Sequence, residues 1–152
     1  MKIVKEEEKL SPDELIHSFK VDVNVEAVSE IDETVASRII NCLDEDEKKL
    51  IHYFNKPISG KVYLSYPLNV IVEVDIDECK TIGSLLSKIA KSYKNIYDTE
   101  DETQTNYQPA GSLLNRGETD GTFGIWGHVI SDLYFERVSV YKNGLIELGI
   151  GS

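Results

Sequence analysis

Positive charge is the first thing this chain is short of. It sets 16 lysines and arginines against 27 acidic residues, a formal net charge of −11. Such a surface repels phosphate backbones and anionic headgroups at long range. Nucleic-acid and membrane partners are therefore not expected. Cysteine is scarce too: there are two, Cys42 and Cys79. They form no C-x-x-C pair, and no histidine stands near either at zinc-finger spacing. We expect both to be reduced and buried as small hydrophobes. No apolar run approaches the roughly 20 residues of a membrane span. Met1 to Glu8 holds no apolar core of signal-peptide length, so an intracellular, non-secreted protein is expected. Catalytic signatures are missing as well. There is no Walker lysine–serine pair, no G-x-G-x-x-G, no H-E-x-x-H and no EF-hand loop. The sequence names no cofactor and assigns no metal set.

What is present suits one domain. At 152 residues and 41% hydrophobic, the chain can bury a substantial core without staples. Residues 1–10 read as a flexible charged N-terminus, and 11–152 as a single domain. Ser11-Pro12-Asp13-Glu14 has the form of a helix start, predicting a short helix to about Phe19. Val21, Val23 and Val25 alternate with polar residues, predicting a strand over Lys20–Ala27. Residues 30–54 read as helical, with stripes at Val35, Ile39, Leu43 and at Leu50, Ile51, Phe54, and with Asp44 as a cap. Val62–Tyr66 and Val70–Ile76 read as strands. Thr81 opens the clearest helix, its apolar stripe running from Ile82 through Tyr93 to Tyr97. Leu133–Tyr141 and Leu145–Ile150 form a hairpin about Asn143-Gly144. The pattern predicts an α+β fold, with an antiparallel or mixed sheet of about five or six strands and helices mainly on one face.

Between helix and hairpin lies a long polar loop, about 98–123. Loops of such length are usually functional or disordered. Asp98, Glu100, Asp101 and Glu102 read as a solvated charge run rather than a calcium site, lacking the EF-hand glycine and terminal glutamate. Gly117, Gly121, Gly124 and Gly127 recur every three or four residues. They serve either tight turns needing positive φ or a cradle of bare amides for a phosphate or other anion. His128, Asp132 and Glu136 stand four apart and offer a catalytic acid–base or ligand set. Against that, Glu136 falls on the expected strand, and His128 bonding Asp132 or a loop carbonyl would simply fix the turn. Trp126 is the one tryptophan, a residue type found both in cores and at binding hot spots. The binding residues expected are Trp126, Gly124 and Gly127 at the corner, with Tyr107, Asn115 and Arg116 in the loop before it.

Phe123-Gly124-Ile125-Trp126-Gly127-His128, followed by Asp132-Leu133 and Glu136, resembles a motif of uncharacterised proteins from giant nucleocytoplasmic DNA viruses. The helix from Thr81-Ile82-Gly83 to Tyr97 looks like a second shared block. The resemblance covers the C-terminal half and implies a viral protein made in an infected cell, without naming a reaction. The expected function is a noncatalytic binding or structural role with a protein partner or by self-association. The alternatives are a hydrolase using His128, Asp132 and Glu136, and nucleotide or anion binding at the glycine-rich loop.

Overall fold

A computed structural model describes residues 1–43, 54, 56–106, 108–113 and 117–152. Six strands form one sheet: β1 (Lys2–Val4), β2 (Leu15–Asn24), β3 (Ile58–Leu64), β4 (Ile71–Cys79), β5 (Tyr134–Tyr141) and β6 (Leu145–Gly151). Their spatial order is β1-β4-β3-β6-β5-β2. The sheet is mixed, because β3 and β6 run parallel while every other neighbouring pair is antiparallel. Among the described residues, three α-helices accompany it: α1 (Val25–Ser29), α2 (Glu33–Ile39) and α3 (Ile82–Thr103). The α+β expectation thus holds, with a six-stranded mixed sheet.

Alternation builds the sheet. In β3 and β4, Val62, Leu64, Val72, Val74 and Ile76 turn into the core, while Lys61 and Asp75 turn away. The buried stripe of α3 (Leu85, Leu86, Ile89, Tyr93, Ile96 and Tyr97) joins them in one hydrophobic cluster. Thr81 caps α3 by accepting from the Ser84 amide, 3.0 Å. α2 lies so close to α3 that a Cβ on Gly83 would sit 2.0 Å from the Ala36 carbonyl oxygen. The terminal hairpin turns at Asn143-Gly144 as expected, with Gly144 at φ +91°. Among the described residues, no helix is long and apolar enough to cross a membrane. Cys42 and Cys79 are buried and unbridged.

The N-terminal third departs from its expectations. Residues 2–4, read as loose, are the edge strand β1, paired with β4. β2 stands at the opposite edge, so the chain between them must cross the sheet. On the way it is pinned where the Leu10 amide donates to the Tyr63 hydroxyl (3.1 Å) and Asn143 Nδ2 donates to the Ser11 carbonyl (2.7 Å). In place of the helix expected from Ser11 to Phe19, residues 11–14 are irregular and Leu15–Phe19 is the first half of β2, which pairs with β5 from Leu15 to Asn24. Long-range pairing and burial of Phe19 and Val21 override the local capping pattern. The strand stops short of Ala27, because Asn24 caps α1 by accepting from the Ala27 amide, 2.9 Å. α2 covers only part of the helix expected over 30–54 and buries a different stripe. Ala36 and Ile40 face inward, whereas Ile39 and Leu43 are exposed. Asp44, Leu50 and Ile51 lie outside the described residues, as do Tyr107, Asn115 and Arg116.

Candidate functional site

α3 runs six residues further than the sequence pattern indicated, to Thr103. That extension carries Glu100 into the interior, with no solvent exposure. Its carboxylate is the hub of the segment after it. One oxygen accepts from the Phe123 amide at 2.8 Å. The other accepts from Thr119 Oγ1 (2.5 Å) and from the amides of Gly121 (2.8 Å) and Gly124 (3.2 Å). The glycine-rich stretch is indeed a cradle of bare amides around an anion, and the anion is the protein's own. A Cβ on Gly121 would sit 2.7 Å from that carboxyl group, so the close approach itself needs glycine there.

The neighbouring acids are used in the same way. Asp101 accepts from the amides of Ala110 and Gly111, and Asp98 pairs with Lys94 at 2.9 Å. Asp120 accepts from the backbone and side chain of Thr105 and from the Asn106 amide. Those bonds, the Thr105 hydroxyl first, hold Asp120 below the usual carboxylate range. Of the run read as solvated, Asp98, Asp101 and Glu102 are exposed, but Glu100 is buried, and Glu100 and Asp101 tie down the segment that follows. Among the described residues, no group of three or more His, Cys, Asp or Glu is gathered for a metal.

Fixed this way, residues 117–127 fold against 67–69 as a small ribbon. Leu68 bridges Ile125, and Glu118 bridges Trp126. The Trp126 amide donates to the Pro67 carbonyl (3.0 Å), and the Gly127 amide to the Gly117 carbonyl (2.7 Å). Directly opposed residues of an antiparallel pair share a face. Leu68 and Ile125 take the buried one; Glu118 and Trp126 take the exposed one. Gly124 and Gly127 turn the ribbon at φ +63° and +72°, the left-handed region that favours glycine. Gly117 and Gly121 have no positive φ.

At the corner the indole of Trp126 stays 38% exposed. It meets Tyr66 edge to face, centroids 5.2 Å apart and planes at 90°. His128 completes a three-ring cluster, 5.8 Å from Tyr66 and 6.4 Å from Trp126. The His128 ring is held on both sides. Its Nδ1 lies 3.3 Å from Asp132 Oδ2, and its Nε2 lies 3.3 Å from Ser152 Oγ. Ser152 Oγ is also 2.8 Å from the Tyr66 hydroxyl. Asp132 accepts the Val129 amide as well, which fixes the turn after His128. The bonding of His128 to Asp132 matches expectation. Glu136 is not among the described hydrogen-bonding partners of His128. It projects from β5 beside Gly151, where an added Cβ would sit 1.9 Å from its Oε1. Ser152, absent from the expected site, is the second partner of the His128 ring, while Glu136 lies on a strand, as the sequence pattern indicated.

α3 supports this corner from below. The Tyr93 hydroxyl donates to the Tyr66 carbonyl (2.9 Å), and the Tyr97 hydroxyl to the His128 carbonyl (2.8 Å). Burial pushes both phenols well above the ordinary tyrosine range, so they are held as neutral donors. Tyr93, Tyr97 and Glu100 fall at i, i+4 and i+7, on one face of one helix. Sequence reasoning placed the two tyrosines in the core stripe but missed Glu100, although it continues that stripe. No family model, curated protein or solved structure matches the chain.

Proposed function

We propose that this protein is a binding module that recognises a protein partner through the Trp126 corner. The observation that carries this reading is an exposed indole locked in place. Tyr66 packs against it edge to face and His128 lies beside it, while the bridge to Glu118 fixes its backbone and Tyr93 of α3 fixes the Tyr66 carbonyl. Exposure of a large aromatic costs solvation, and rigid aromatics are the usual anchors of interfaces. The rest of the apparatus spends its polar groups on itself. The glycine amides that could hold a nucleotide phosphate are filled by Glu100, which counts against the anion-binding reading. The resemblance to giant-virus proteins supplies the setting we propose, an infected cell. Affinity capture with wild type and with Trp126→Ala tests the reading. A partner retained by wild type and lost by the variant is expected; equal capture by both refutes it.

One observation favours a second reading, a hydrolase. Asp132, His128 and Ser152 stand in hydrogen-bonded series, the order in which an acid orients a histidine that activates a hydroxyl. With the proton on Nδ1 facing Asp132, Nε2 is left to accept from Ser152. This reading requires that Ser152 be labelled by a fluorophosphonate in wild type and spared in His128→Ala. Absence of labelling removes it.

A further inference from the structure

Among the described residues, the formally charged side chains named at the Trp126 corner, Glu118 and Asp132, are both acidic. Glu118, paired directly across from Trp126, places its Cβ about 5 Å away on the same face. Asp132 lies behind His128, its side chain 43% exposed. On the far side of Glu118 a concavity of about 430 Å³ opens. It is lined by Asn69, Glu118, Asp120, Thr122 and Gly124, among others. No basic side chain is among its lining residues. The whole chain carries −11, so the local field is reinforced rather than cancelled at long range. Among the described residues, the one cation placed over a ring is Lys9, above Tyr63 on the other face of the sheet. The face of Trp126 takes no such partner from the described residues.

We infer that the partner offers a basic segment, and that one of its arginine or lysine side chains seats on the exposed face of Trp126. The inference rests on the binding-module reading and names the chemistry of its ligand. An indole is the best cation–π acceptor among side chains, and the attraction acts within about 6 Å of the ring centroid. Glu118 is positioned to receive the guanidinium or ammonium edge while the indole takes its face. A second basic residue of the segment would lie in the concavity, between Glu118 and Asp120. Arginine suits the corner better than lysine, because its planar, weakly hydrated group stacks and hydrogen-bonds at once. A second copy of this chain is a poor occupant, since acidic residues outnumber basic ones 27 to 16.

Trp126 is the one tryptophan among eight tyrosines, so fluorescence excited beyond the tyrosine absorption band reads this indole. The probes are capped five-residue peptides, Gly-Ser-X-Ser-Gly, with X as arginine, lysine, norleucine or glutamate, titrated at low ionic strength. The arginine peptide should shift the emission and bind about threefold or more tighter than norleucine, which keeps the stem and lacks the charge. Raising salt to about 0.5 M should weaken it. Glu118→Gln, which keeps the carbonyl that accepts from Asn69, should lose most of the arginine preference. Equal binding of arginine and norleucine, or an unchanged preference in Glu118→Gln, overturns the inference. If no basic peptide binds while Trp126→Ala still abolishes partner capture, the cation assignment fails and the binding module stands. If Trp126→Ala captures the partner normally, the module reading itself is lost.

Discussion

Removing the Glu100 carboxylate should unfasten the ribbon that displays Trp126. Glu100→Ala strips an acceptor from three amides and one hydroxyl, those of Gly121, Phe123, Gly124 and Thr119. A buried donor left unpaired costs at least about 1 kcal/mol. The Thr119 hydroxyl can turn to the Ile125 carbonyl, 3.3 Å away, so the three amides carry the loss, about 3 kcal/mol together. For a domain of this size, about 2–4 °C is lost per kcal/mol, so the melting temperature should fall by roughly 6–12 °C. Glu100→Gln separates the network from the mere loss of volume. Its amide nitrogen must replace one oxygen. The less costly choice is the oxygen that serves Phe123 alone, because the other accepts from three donors. The loss should then be about 1–2 kcal/mol, well short of the alanine variant. Thermal denaturation followed by far-ultraviolet circular dichroism gives the ranking. Amide hydrogen exchange locates it, with Gly121, Phe123 and Gly124 speeding up more than amides of β3 and β4. If both variants lose under about 1 kcal/mol, or if exchange rises evenly across the chain, Glu100 is not the hub described above.

Three further outcomes follow from the same geometry. Gly124→Ala should cost more than Gly127→Ala. Both residues lie in the left-handed region, worth about 1–2 kcal/mol to a non-glycine residue, but a Cβ at Gly124 would also meet Asn69 Nδ2 at 2.6 Å, while Gly127 faces open space; denaturant melts give the comparison. Burial alone would raise the Glu73 pKa, yet hydrogen bonds from Lys2 and Tyr63 and the charges of Lys61 and Lys2 bring it below the ordinary value of 4.5. A carboxyl group depressed on folding lends stability that is present above its unfolded pKa and lost as pH falls through the folded one. The stability gap between wild type and Glu73→Gln should therefore be widest near neutrality and close below about pH 4.5, as read from melts across pH. Burial also pushes the Cys79 thiol above its ordinary range, and Cys42 is buried with it; both should resist a disulfide reagent in the native protein and react on unfolding, and fast native labelling of either contradicts its burial.

The parts legible in the sequence were those where local and tertiary signals agree. The α3 stripe from Ile82 to Tyr97 has helical period because that face is buried. Asn143-Gly144 marks a hairpin because the turn needs positive φ, and Gly144 supplies it. Ser11-Pro12-Asp13-Glu14 misled for the opposite reason. A helix-start pattern of four residues is a local preference, and β2 gains ten residues of strand and the burial of Phe19 by ignoring it. Alternation continues upstream through His17, Phe19 and Val21, a pattern that competed with the cap and proved the stronger. At the site, His128 and Asp132 were legible as an i, i+4 pair. Ser152 was not, because only strand pairing brings β6 back beside Tyr134, which registers with Gly151.

Glu100 was hidden by its company, since Asp98, Asp101 and Glu102 around it face solvent. Its spacing discloses it. From Tyr93 to Glu100 is seven residues, which climbs about 10.5 Å along a helix. Three neighbouring extended segments span about 9.6 Å between the outer two. The site has three strand-like passes, at Leu68, Ile125–Trp126 and Glu118, joined by the Leu68–Ile125 and Glu118–Trp126 bridges, with Tyr66 and Pro67 in the turn that enters the first. Tyr93 reaches the first at the Tyr66 carbonyl, Tyr97 the end of the second at the His128 carbonyl, and Glu100 the third at Thr119. One face of α3 therefore acts as a ruler whose marks match the strand spacing above it. A loop held only at its ends would leave the backbone of the corner free to shift. Held at three points by a buried helix, it cannot do so without breaking a bond to α3. The exposure of Trp126 is thus a property of the core beneath it, and a partner would meet the corner already formed.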